Sequence, residues 1–134
     1  MHSLPVHQVP IDTPPPSEIL QLPAGEKGYH WILSDAERKH IAEMLDVKDK
    51  SLLTLRGNSM MRERAVCSGC GKHCGLDDLV HNALYAGIHG KAFMLDVLVH
   101  GPKADSPGHE ITCSGCGLVH DGLFMWIPAL SWPR

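Results

Sequence analysis

"CSGCGKHCG", residues 67–75, decides the fold when read with "CSGCG" at 113–117. Two cysteines two residues apart can aim both sulfurs at one centre if the chain bends tightly between them. Gly69 and Gly115 permit that bend, and Gly71 and Gly117 permit positive φ just beyond the second cysteine. Two such clips supply four thiolates, the closed tetrahedral set that structural zinc prefers. The candidate metal ligands are therefore Cys67, Cys70, Cys113 and Cys116. Two separate buried dithiols, or a redox pair of the thioredoxin kind, would use the same residues. Matched clips favour one shared metal, since a single reactive pair would need no twin.

Apolar residues flank each clip: Val66 before the first, Ile111, Leu118 and Val119 around the second. That pattern puts each clip at the tip of a hairpin. On these residues the two C-x-x-C-G segments resemble the knuckles of zinc-ribbon and rubredoxin-like proteins. The resemblance implies zinc as the cofactor, with iron as the alternative. It covers the two pentapeptides only. The 42 residues between Cys70 and Cys113 exceed what a minimal ribbon needs. This chain would then be a ribbon carrying an inserted α/β unit. Zinc ribbons serve transcription, translation, enzyme subdomains and protein docking, so the likeness does not choose a function.

Cys74 and His73 extend the first clip without a counterpart in the second. Cys67, Cys70 and Cys74 could hold three corners of an iron–sulfur cluster. Cys74 could also join a binuclear site, or react as a thiol whose pKa the following helix N-terminus lowers. The simplest reading makes it a small hydrophobe packed at that helix start. His73 is a donor to a bound thiolate or a solvated turn residue.

Around the clips, the elements read as α+β: a small mixed sheet with two helices. Residues 29–33 form a strand. Ser34 and Glu37 have the spacing of a capping box, opening a helix over 35–46. Residues 51–56 are a strand or a short helix. Apolar residues at i, i+3, i+4 and i+7 spacing give a helix over 76–89, with Asp77 and Asp78 in its first turn and Gly90 as its stop. Phe93, Leu95, Val97 and Val99 alternate, which predicts a strand. Asp121-Gly122 is a turn, and 123–127 a last strand. The first 28 residues hold six of the ten prolines and form an extended arm, docked or free. Ile11, Ile19, Leu20 and Leu22 are its candidate anchors. Residues 29–134 form a single zinc-binding domain.

The chain is ordinary in bulk: 134 residues, 43% hydrophobic and 20% charged. Only 5% is aromatic, so a metal staple would reinforce an aliphatic core. The net charge of −3 argues against a purely electrostatic grip on a phosphate backbone. The densest basic stretch holds Arg56, Arg62, Arg64 and Lys72. No secretory signal and no run of about 18 apolar residues is evident, so the expectation is a cytoplasmic protein outside the membrane. Ten histidines are scattered. His100, His109 and His120 could converge with Asp121 or Asp96 as an open metal site. No phosphate loop, nucleophile elbow or dinucleotide fingerprint is present, and no catalytic residue is assigned.

The leading expectation is a non-enzymatic zinc-binding interaction or adaptor module. It would dock on a protein or protein–nucleic-acid complex through the proline-rich arm and "LFMWIPALSW". One alternative is a DNA-binding or transcription-linked regulator, using residues 41–55 as a helix-turn-helix. The other is a small metalloenzyme or thiol enzyme using the histidines or Cys74.

Overall fold

The computed structural model describes residues 4–22, 25–47, 55–100, 108 and 110–125. Three strands and three helices follow one another: β1 (Glu18–Gln21), β2 (Lys27–Ile32), α1 (Asp35–Leu45), β3 (Gly57–Met60), α2 (Leu76–Tyr85) and α3 (Lys91–His100). The sheet runs β1-β2-β3 and both pairings are antiparallel. The fold is thus a small α+β arrangement with a four-cysteine cluster at one end.

Residues 27–32 form a strand, as the apolar run predicts, and sit at the centre. Glu18 faces His30 on one side, and Trp31 faces Asn58 on the other. Trp31 is fully buried, edge-on to Phe124, and its Nε1–H donates to Arg62 O at 2.9 Å. That bond satisfies the one polar group an indole brings into a core. β1 was not expected; it lies within the proline-rich first 28 residues and adds an edge to the sheet.

α1 opens on the predicted capping box. Glu37 N donates to Ser34 Oγ, and Ser34 N donates back to Glu37 Oε1, both at 3.2 Å. The helix stops at Asp46, whose φ of 55° is left-handed. Its inner face carries Glu37, His40, Ile41, Met44 and Leu45, so two polar residues share it with three apolar ones. Glu37 is paired with Arg64, which also donates to Ile32 O at 2.6 Å and Cys74 O at 2.9 Å. One buried guanidinium therefore ties the end of β2, the start of α1 and the start of α2 together. Of the proposed helix-turn-helix, residues 48–54 lie outside the described residues.

α2 is shorter than its apolar pattern suggests. It ends at Tyr85 because Gly87 takes φ 75° and turns the chain, and Ile88 is left exposed. The strand expected over 93–99 is instead helix α3. Residues 92–95 and 97–99 are all apolar, so an alternation can be drawn through a run that has no polar face to set its period. The buried pair is Met94 and Leu98, one helical turn apart, while Phe93 and Val99 are exposed. Met61 N donates to Met125 O, the one bond that marks the expected last strand; residues 126–134, with Trp126 and Trp132, lie outside the described residues.

The N-terminal arm is docked. Ile11 and Ile19, two expected anchors, are exposed; His7 holds the segment instead, through its backbone and its ring. Among the described residues no helix is long and apolar enough to cross a membrane.

Candidate metal centre

The two clips close by the same hydrogen bonds. Cys67 N donates to Lys72 O and Gly71 N to Cys67 O, both at 2.8 Å. Cys113 N donates to Leu118 O at 2.8 Å and Gly117 N to Cys113 O at 2.9 Å. Gly71 and Gly117 hold φ of 82° and 85°, which only glycine adopts without strain. Val66 bridges to His73 and Thr112 to Val119, so each clip is a hairpin tip.

Gly69 and Gly115 lie in the tight bend of each clip, as expected, without taking positive φ. A Cβ at Gly69 would lie 3.2 Å from Cys116 Sγ, and one at Gly115 3.7 Å from Cys70 Sγ. Gly69 thus leaves space for a sulfur of the other clip, whereas at Gly115 a side chain would meet only ordinary contacts.

The four sulfurs all lie within 4.8 Å of one another. Cys67 Sγ is 3.4 Å from Cys116 Sγ, and Cys70 Sγ is 3.7 Å from Cys113 Sγ. These distances are too long for disulfides. A tetrahedron with metal–sulfur bonds of about 2.3 Å has sulfur–sulfur edges of about 3.8 Å. The donor set therefore fits one tetrahedral metal ion, and could hold it in a zinc-ribbon-like site.

Electrostatics make the same point. Burial opposes a thiolate at Cys67, but the N–H groups of Cys70 and Gly69 and the neighbouring thiols outweigh it, bringing the pKa to about 7. Burial, with Asp78 nearby, pushes Cys113 far up. A thiolate at Cys67 is thus favoured and one at Cys113 opposed, a balance that a bound cation would shift toward the charged forms.

α2 is the element that assembles the site. Asn82 reaches Thr112 twice: its Oδ1 accepts from Thr112 N and its Nδ2 donates to Thr112 O, both at 2.8 Å. Asp78 Oδ1 accepts from Ser114 N at 2.9 Å and Ser114 Oγ at 2.6 Å. Its Oδ2 accepts from Lys72 Nζ and Gly75 N, both at 2.9 Å. One carboxylate thus joins both clips to the first turn of the helix. Lys72 Nζ spends its three donors on Asp78, Asp77 Oδ1 and His73 O.

Over residues 20–132 the chain matches the family model described as a domain of unknown function, DUF8243. It belongs to the DUF8243 family. No curated protein and no solved structure matches it.

In this DUF8243 chain Cys74 stands apart from the cluster. It is fully buried among the core residues, and Ala65 N donates to its sulfur at 3.1 Å. Burial pushes its pKa up to about 12, the reverse of an activated thiol. His73 is half-buried at the hairpin bridge. Among the described residues, the four cysteines are the one group able to hold a metal. His100 is exposed on α3 beside Asp96, and His120 is buried edge-on to Phe124; His109 lies outside the described residues.

Sequence reasoning missed a buried chain of polar groups beside the clips. His7 Nδ1 meets His40 Nε2 at 2.8 Å, and His40 Nδ1 meets Asp77 Oδ2 at 2.8 Å. Burial resists ionisation of Asp77, but the hydrogen bond from His40 and the charge of Lys72 win, and its pKa falls. His40 on the apolar face of α1 was a visible signal, because a polar residue at a core position needs a partner.

Proposed function

We propose that this DUF8243 chain is a small non-enzymatic interaction module. A structural zinc on Cys67, Cys70, Cys113 and Cys116 holds its two hairpin tips, and it docks on a protein partner in the cytoplasm. The observation that carries the reading is the meeting of four sulfurs within 4.8 Å at the tips of two identically bonded clips. A closed set of four thiolates leaves no open coordination position for a substrate, which suits structure rather than catalysis. The same ligands accept iron; zinc is proposed because a closed set of four thiolates is its common structural site.

Docking on protein is supported by what is exposed around the tips. Val66, Leu118, Val119 and Leu123 are each at least 40% exposed. The four bases of the densest basic stretch all have partners within the fold, and two of them are buried. Arg64 is buried against Glu37, and Lys72 against Asp77 and Asp78. Arg62 lies over the Phe124 ring and Arg56 pairs with Glu18. This favours a protein surface over direct DNA binding.

Elemental analysis with a visible spectrum tests the metal: one zinc per chain and a colourless protein are expected. Iron with a sulfur-to-metal absorption band overturns zinc, and a metal-free, stably folded protein overturns the site. Salt-sensitive binding to duplex DNA would return the regulator reading.

A further inference from the structure

Residues 4–12 cross the face made by α1, α2 and the second clip, and only part of that segment turns inward. Val6 and Ile11 are more than half exposed, whereas His7 and Val9 are partly covered. Beneath them the surface is built from buried polar groups: His40, Asp77, His81 and Ser114 are all under 8% exposed. A polar floor under a thin strap is unusual, because such groups ordinarily face water unless something reads them.

Each floor group reads one feature of the strap. His81 Nε2–H donates to Pro5 O at 2.7 Å. Ser114 O accepts the His7 N–H at 2.7 Å. The His7 ring then stands edge-on to His40, His81 and Tyr85, with centroids 5.1, 4.8 and 5.2 Å away. The Asp77 carboxylate accepts from His40 Nδ1–H, which leaves His40 Nε2 to meet His7 Nδ1 through one shared proton. Val9 sits over Gly115, where an added Cβ would touch its Cγ2 at 3.5 Å. Carbonyl, N–H, imidazole and a branched apolar residue are recognised in order along an extended chain.

We propose that this face is a peptide-binding groove selecting an extended segment with a central imidazole, and that residues 4–12 fill it in cis as a displaceable lid. The groove adds a ligand class to the interaction-module reading and rests on it only in requiring the second clip to be formed. Among the described residues the strap's hydrogen bonds to the floor centre on Pro5 O and His7, so the lid can lift without unfolding what lies below.

Acid should open it. Burial lowers the His7 pKa below 6.5, and His81 and His40 lower it further against the pull of Glu43. The groups around the ring are His40 and Glu43 from α1, Asp77, His81 and Tyr85 from α2, and Lys72 beyond Asp77. The docked state binds fewer protons than the free strap, so docking weakens as pH falls through 6.5 toward the lowered value.

The test uses full-length chain and a fluorescent peptide of residues 4–12, read by anisotropy with metal content measured in parallel. His7→Ala in the chain lifts the lid and leaves the floor intact. It should bind the peptide about tenfold or more tightly than wild type, whose tethered strap competes. The His7→Ala peptide should not bind, and binding to the variant should weaken between pH 7.5 and 5.5. Equal binding to both chains, no binding to either, or equal affinity for the peptide without its imidazole overturns the groove. With metal content unchanged, any of those outcomes leaves the zinc reading standing. Loss of metal from the His7→Ala chain also overturns the proposal, since the strap would then be part of the metal site's frame.

Discussion

The two clips have one sequence and two environments. Ser68 is exposed, while Ser114, its counterpart, is completely buried and gives two hydrogen bonds to Asp78. The residue after each clip differs as well. Lys72 is buried and fully bonded, and Leu118 is 40% exposed. The first clip is continuous with α2 and needs little else to hold it. The second arrives from a distant segment and must be anchored through side chains. Identical local geometry makes the clips equal as candidate ligands, and the surroundings say which clip the rest of the molecule depends on.

The largest effect should come from what the clips share. Chelation, or Cys113→Ser, would remove the proposed metal cross-link between segments near 67 and 113. Structural zinc contributes on the order of 10 kcal/mol in small domains, so a melting-temperature drop on the order of 20 °C or more is expected by circular dichroism. An unchanged melt on full chelation would sink the structural role of the metal.

Next in size is the residue that follows each clip. Lys72→Met strands Asp77 and Asp78 without their cation and should cost about 3–5 kcal/mol in urea unfolding. Leu118→Met keeps an exposed apolar side chain and should cost under about 0.5 kcal/mol. Similar losses at both would erase the asymmetry. Asp77 sharpens it further, because its pKa is lowered in the fold from 3.8. Its contribution is present above pH 3.8 and is lost as pH falls through the depressed value. Lys72→Met should remove part of that acid sensitivity.

The serines give a smaller and cleaner test. Ser114→Ala deletes a hydrogen bond to a buried carboxylate and should cost about 1–3 kcal/mol, whereas Ser68→Ala should stay within about 0.5 kcal/mol. The glycines at positive φ should show no asymmetry. Gly71→Ala and Gly117→Ala each force a left-handed alanine, costing about 1 kcal/mol. A large difference between them would mean that the clips are less alike than their backbone bonds indicate.

Much of this was readable along the chain. The capping box at Ser34 and Glu37, the strand around Trp31, the start of α2 and the φ of Gly71 and Gly117 all depend on neighbours within a few residues. Local chemistry decides them. α3 was misread because its apolar residues occupy both parities, and only packing of Met94 and Leu98 selects the helical period. β3, "GNSM", carries no strand signal of its own; it is a strand because β2 offers it an edge.

By itself the sequence picked out the candidate donors: four cysteines in two matched clips, with glycines where the backbone must turn back on itself. Spacing settles that, because ligand geometry within a clip is local. Only the tertiary structure decided that Gly69 makes room for the opposite sulfur, that Cys74 is a core residue, and that Asp78 binds both clips to one helix. It also decided that His7 crosses the molecule to meet His40 and Asp77. These pairs lie tens of residues apart, and their partners are chosen by which polar groups packing leaves without water.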